Sequence, residues 1–254
     1  MDKRERLIAY ACREGGDWSR IAQAVRNSKE CTYSPAEPCI TIYDDNYPAS
    51  LRELRYPPWV LFYRGSIDLL NEPSVTIVGS RKMTAYGYRV TGLIADVLKK
   101  RFVLVSGLAA GIDATVHDCA LHGGKTIGVI GSGLDTQYPA QNRKLYEQMQ
   151  KEHLILSEYP SWVGVRKEHF PWRNRILAAL GQCTIVTEAR IRSGSMLTVN
   201  EAIVLNRDIY CVPSLFDSES GQGCNRLISQ GALILYETEQ LNDIVPEKQR
   251  IQKT

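Results

Sequence analysis

Three glycine and serine runs stand out for the chemistry they could do: Gly79-Ser80-Arg81, Ser106-Gly107 followed by Gly111-Ile112-Asp113, and Gly131-Ser132-Gly133 followed by Asp135. Each comes directly after a short aliphatic stretch. Glycines at such turns let backbone N–H groups approach an anion, and a helix starting there adds a favourable dipole. The chemistry on offer is phosphate binding. The same glycines also serve simply as tight strand-to-helix turns. Arg81, at the first turn, can hold a backbone phosphate or pair with Asp113. A fourth run, Ser193-Gly194-Ser195, opens a helix with capping hydroxyls and free amides, and both plain capping and phosphate contact fit it.

A second cluster lies between Ser161 and Arg192. It holds six basic residues, Arg166, Lys167, Arg173, Arg175, Arg190 and Arg192, against two acidic ones, Glu168 and Glu188. The formal net charge of +3 says little about partners, so this local excess matters more than the total. Tyr159, Trp162, Phe170 and Trp172 are interleaved with the charges. Rings beside cations suit single-stranded nucleic acid, because bases stack for roughly 1–3 kcal/mol each while Lys and Arg neutralise phosphates. At least two of the four rings are expected to staple the loop onto the sheet instead.

Other chemistries find less support. GSRKMTAYG places an arginine where GxGxxG needs its second glycine, and GxxxxGK[ST] does not occur, so neither a nicotinamide nor a nucleoside triphosphate cofactor is implied. His117, His122, His153 and His169 lack the HExxH spacing of a metal site, and no GxSxG elbow is present. Glu158 and Glu188, each at a strand end, could serve as an acid and a base or could order neighbouring arginines. The expectation is a binding protein, with no catalytic residue, metal or cofactor assigned.

These groups must be held by a sheet. From Val75 onward, VTIVG, FVLVS, TIGVIG, LILSE, CTIVTE, DIYCVP and ALILYE alternate with helix-length segments. Continuous apolar runs of that kind predict a doubly wound, mostly parallel α/β sheet covered on both faces. After Pro57-Pro58, WVLFYRG reads as a further strand leading into it. Asn174 and Arg175 are expected to start a helix that turns Ile176, Leu177 and Leu180 to the sheet. Arg173 and Arg175 straddle that start, so one should point at the crevice and the other elsewhere. Residues 1–40 read as a small helical appendage, 41–240 as the main domain and 241–254 as a polar tail. The seven cysteines are odd in number and include no CxxC pair, as expected of reduced core thiols. A charged start and the lack of any run near the roughly 18 apolar residues of a span point to the cytoplasm.

Taken in order, GSRKMTAYG, SGLAAGIDATVH, TIGVIGSGLDTQYPAQNRKL, LILSEYP, FPWRNRILAAL, TEARIRSGSMLTVNEA and GCNRLISQGA resemble the DprA/Smf family of bacterial natural transformation over about residues 70–236. The resemblance implies an extended Rossmann-like fold that binds single-stranded DNA with little sequence preference. It also implies protection of incoming strands, help in loading the RecA recombinase, and a homodimer. On this resemblance the DNA site comprises Arg81, Lys167 and Phe170, with Arg173, Asn174 and Arg175 matching beside them. The turn residues Gly79, Ser80, Ser106, Gly107, Gly111, Gly131, Ser132, Gly133, Ser193 and Gly194 complete the expected pocket. The chain departs from the family in a short N-terminal region with no GIG hairpin, in ending soon after ALILYE where some members carry a winged helix, and in Ser214, where glycine is usual. A different reading is a phosphoribohydrolase of the lysine-decarboxylase-like group, but its PGGxGTxxE motif is replaced by EARIRSGSMLTVNEA.

Overall fold

The structure is a computed structural model that describes residues 2–28, 31, 33, 35 and 37–245. All seven expected runs are strands: β3 (Ser74–Val78), β4 (Val103–Ser106), β5 (Lys125–Ile130), β6 (Leu154–Ser157), β7 (Cys183–Val186), β8 (Asp208–Cys211) and β9 (Leu233–Ile234). The WVLFYRG run is β2 (Val60–Gly65), and a short strand outside the sequence expectation, β1 (Cys39–Thr41), precedes it. One sheet results, in the order β1-β2-β6-β5-β4-β3-β7-β8-β9. Strands β3 to β9 pair in parallel, whereas β1 and β2 form an antiparallel edge against β6.

The chain steps outward from β3 through β4 and β5 to β6, then returns to the other side of β3 for β7, β8 and β9. That reversal opens a crevice beyond the carboxyl ends of β3 and β7, where doubly wound sheets bind ligands. Helices α4 (Ala85–Leu98) and α5 (Ile112–Leu121) cover one face, and α7 (His169–Leu180) and α8 (Ser195–Val204) the other. Neighbouring side chains in a strand divide between them. Leu104 packs with Leu98 of α4 and Val116 of α5, while Val103 and Val105 pack with Ile176 and Leu180 of α7. Burial on both sides, at about 1.5–3 kcal/mol for each Val, Leu or Ile, is why these strands read as unbroken apolar runs.

The N-terminal helices α1 (Lys3–Arg13) and α2 (Trp18–Arg26) form as expected, and their apolar sides are folded into the sheet. Leu7, Tyr10 and Ile21 share a buried cluster with Phe62 of β2, Ile155 of β6 and Met149 of α6 (Arg143–Glu152). A boundary at residue 40 would cut through β1. Of the expected polar tail, 246–254 lies outside the described residues, while Glu239–Asp243 forms a short 3-10 turn. Among the described residues, which include all seven cysteines, none forms a disulfide.

Helix α7 starts five residues before the position read from the sequence. Pro171 concealed the start, yet a proline in the first turn costs nothing there because that N–H has no intrahelical partner. Phe170 and Trp172 therefore sit on a helical turn and not in a loop.

Candidate nucleic-acid interface

At the switch point a crevice of about 870 Å³ is walled by the turn after β3, the start of α7 and the start of α8. Arg81 is exposed, and its guanidinium lies 5.2 Å from the centre of the Phe170 ring. The Tyr138 ring stands 5.8 Å from that of Phe170. Lys167 and Lys82 line the same crevice and are exposed. Among the described residues, none of Arg81, Lys82 and Lys167 enters an ion pair. The pairing of Arg81 with Asp113 is thus not made. Free cations beside flat rings at an open crevice match what phosphates and bases require.

One layer down, the same residue types do other work. Arg173 is 4% exposed and donates from one Nη to the carbonyls of Gly107 (2.8 Å) and Val129, tying together the ends of β4 and β5. Burial pushes the Asp113 carboxyl up and the Arg173 guanidinium down from their ordinary pKa values, each effect partly offset by the other group's charge. Gly107 is wedged between them: a Cβ there would lie 2.6 Å from Asp113 Oδ2 and 2.7 Å from Arg173. Asn174 donates from Nδ2 to the Gly194 carbonyl at 3.1 Å, which fixes the start of α8.

Arg175 is a correction to the expected site. It is buried in a bidentate pair with Glu158, at 2.9 and 2.6 Å, and also donates to the carbonyls of Tyr56 and Trp172. Its neighbour two positions back reaches the crevice floor because side chains two apart on a helix diverge. Glu158 is equally committed to that pair and does not line the crevice.

The turns are also more differentiated than their sequences. The start of α4 is already occupied: Glu188 accepts from the Thr84 N–H at 3.0 Å and from its hydroxyl, while Thr84 caps Gly87. A carboxylate at that helix end satisfies the dipole that an anion would have used. Asp113 fills the same place in the first turn of α5. Gly111, at φ +76°, lets α5 start hard against the Ser80–Arg81 backbone, where a Cβ would come 2.8 Å from the Arg81 carbonyl oxygen. Ser106 is fully buried and its Oγ donates to the Ile77 carbonyl; the buried Ser132 Oγ donates to that of Thr136. The Ser106 hydroxyl is a correction, turned inward by its strand end, whereas Ser132, with its hydroxyl also turned inward, still borders a small pocket with Arg81, Tyr138 and Phe170. Gly79 packs against Ile112 and the Glu188 carbonyl, Gly131 lies under Phe170, and Gly133 abuts the backbone at Pro160 and Ser161. The open turn is Ser193-Gly194, where a Cβ on Gly194 would meet nothing within 4 Å. Both residues line the crevice.

Two of the four rings do staple the loop. Tyr159 is buried and stacks on His169 at 3.8 Å, while Trp172 lies beside Tyr56 and under the Arg175 guanidinium. Phe170 faces the crevice and Trp162 is 57% exposed. The buried His117 has its pKa pushed down to about 3 by loss of solvation; its Nε2 accepts from the Leu108 N–H and its Nδ1 bonds to the Thr126 hydroxyl. Among the described residues no group of three or more His, Cys, Asp and Glu is arranged to hold a metal. Lys82 and Tyr138 were missed by sequence reading. Adjacency to Arg81 signalled the first; nothing periodic signalled the second.

Fold and crevice together define a doubly wound α/β protein that presents unpaired cations and rings at its switch point in place of a dinucleotide turn. The chain belongs to the DNA recombination-mediator protein A family, whose profile matches residues 38–246. It is 43% identical over 199 residues to DNA processing protein DprA of Streptococcus pneumoniae, covering 78% of this chain and 71% of that protein. It is 44% identical to protein Smf of Synechocystis over 208 residues, 80% of this chain but 52% of that protein. The X-ray structure of the Streptococcus pneumoniae protein superposes with a TM-score of 0.80 at 34% identity, covering 94% of this chain and 93% of the other. DNA processing protein A of Helicobacter pylori, solved for its single-stranded DNA binding mode, matches with a TM-score of 0.75 and 31% identity over 82% of this chain and 96% of that one. No helix among the described residues is long and apolar enough to cross a membrane.

Proposed function

We propose that this chain, like the related Helicobacter pylori protein, binds single-stranded DNA, and that it does so in the switch-point crevice. Arg81, Lys82 and Lys167 neutralise phosphates, Phe170 and Tyr138 offer rings to bases, and the open amides at Ser193-Gly194 take a further backbone oxygen. The observation that carries this reading is the Arg81 guanidinium over the Phe170 ring, both on the crevice that Lys167 also lines. Arg173 and Asn174 position these groups from beneath.

Family membership supports the wider reading that we adopt: a mediator of DNA recombination in the cytoplasm, acting in natural transformation by protecting strands and helping to load RecA, without turnover. A homodimer fits the open sheet edge, where β9 leaves Leu233 and Ile234 exposed for a second copy to cover. The phosphoribohydrolase reading loses support because Glu188 is engaged at the α4 start.

Titration of single-stranded and duplex oligonucleotides over a range of salt tests the reading. Single strands should bind more tightly, with a log–log slope of about −0.7 per phosphate contacted. Arg81→Ala should weaken binding across all sequences and make the slope shallower. Equal affinity for duplex, or an Arg81→Ala protein that binds as well as the parent, would sink it.

A further inference from the structure

A second groove, of about 450 Å³, runs between the turn joining α1 to α2 and the loop joining β6 to α7. Its walls come from both sides: Arg13 to Arg20 on one, and Trp162, Arg166, His169 and Trp172 on the other. The Val165–Phe170 segment is the ridge that separates this groove from the crevice. Val165, Lys167 and Phe170 line the crevice, whereas Arg166, Glu168 and His169 line the groove. A polymer lying on Lys167 therefore needs to cross only this ridge to enter the groove.

Among the described residues, what the groove presents is one ring and one cation without a ring or ion-pair partner, Trp162 and Arg166. Trp18 stacks on Trp59 at 5.3 Å, Trp172 is covered by Arg175, and Tyr159 is covered by His169, so these rings have their faces occupied. Trp162 takes part in no ring–ring or cation–ring contact among the described residues and is 57% exposed. Gly15 backs its edge, with a Cβ there falling 3.4 Å from Trp162 Cη2, so the indole is supported from the α1–α2 turn and not swinging free. The carboxylates nearby are mostly engaged. Glu14 pairs with Arg13 at 2.8 Å, and Asp17 caps α2 through the Arg20 N–H at 2.9 Å. Arg166 is exposed and enters no ion pair among the described residues.

We infer that this groove is a second subsite for the same strand. DNA held in the crevice continues over the ridge, with Arg166 neutralising a phosphate and Trp162 stacking a base, so that the N-terminal helices form one wall of the path. The inference rests on the crevice reading; Trp162 and Arg166 lie within the matched family segment, and only the wall of residues 13–20 lies outside it. Its signature is length: the subsite is reached only by strands longer than the crevice holds, and roughly 4–16 nucleotides is the range for comparable single-strand sites.

The test is fluorescence anisotropy with labelled oligothymidylates of 6, 12 and 20 nucleotides on the full chain. Trp162→Ala and Arg166→Ala should each bind the 20-mer several-fold to about tenfold more weakly, a loss typical of one stacked base or one phosphate contact. Both should leave the 6-mer unchanged, and Trp162→Phe should restore most of the long-strand affinity. Thermal melting of each variant separates binding loss from misfolding, and both side chains are exposed. Unchanged affinity at every length would overturn the inference, as would an equal loss for the 6-mer and the 20-mer. Failure of the crevice reading looks different: Arg81→Ala would then leave the 6-mer bound as before.

Discussion

Two layers of one site use the same residue types for opposite ends. On the rim, Arg81 and Lys167 are exposed and unpaired among the described residues, beside the Phe170 ring. Beneath them, Arg173 at the crevice floor and Arg175 off the crevice lining are each 4% exposed and engaged with carbonyls and a carboxylate of the fold. An exposed cation costs little to hold and is available to a phosphate. A buried one must be satisfied by the protein itself, and breaking such a pair leaves an uncompensated charge. The difference teaches that a basic segment such as Arg166–Arg175 divides by burial into cations left free for a ligand and cations that hold the fold beneath them.

The sharpest way to break that comparison is at Arg175. Arg175→Ala strands Glu158 and should lower stability by about 3–5 kcal/mol, read by urea or thermal unfolding. Whatever fraction remains folded should bind DNA as before. A variant of normal stability that failed to bind would move Arg175 to the rim.

A second floor effect is set by pH. His117 is neutral in the fold, with its pKa pushed from 6.5 to about 3, while the unfolded chain takes up a proton near 6.5. Its contribution is complete above 6.5 and is lost as pH falls toward 3, at up to about 1.4 kcal/mol per pH unit. Unfolding measured from pH 7 to 4.5 should therefore show about 2–3 kcal/mol of loss that is absent from His117→Phe if that variant folds.

On the rim the expected effects are smaller and fall on binding. Phe170→Ala should cost about 1–3 kcal/mol of single-strand affinity, and Phe170→Trp should keep most of it, both read by anisotropy. Its stability should change less than that of Arg175→Ala. The smallest effect is Lys167→Ala, which should leave stability within about 0.5 kcal/mol and flatten the salt slope by about 0.7. A steep stability loss there would mean that the rim and floor are not separate layers.

Much of this arrangement was legible in the chain itself. The apolar runs of β3 to β7 announced themselves because strands covered on both faces leave few polar positions to interrupt them, while β8 and β9 were legible from apolar runs that the fold leaves partly exposed. Arg81 and Phe170 were found from their types and from the turns and rings around them, without coordinates. The antiparallel edge was less visible, since the three residues of β1 are too few to carry a period. The start of α7 was hidden because Pro171 reads as a breaker until its place in a first turn is known.

Local chemistry in the sequence thus determined which segments become strands, which turns carry glycine, and where cations and rings are concentrated. It could not decide which charges stay free. Arg173, Arg175, Glu158, Glu188 and Asp113 find partners 17 to more than 100 positions away, or across strands brought together by the sheet order. Burial depends on the summed packing of distant elements, and only the tertiary structure sets it. The physical reason that Arg81 stays available to a phosphate while Arg175 does not is that one guanidinium meets water and the other meets Glu158.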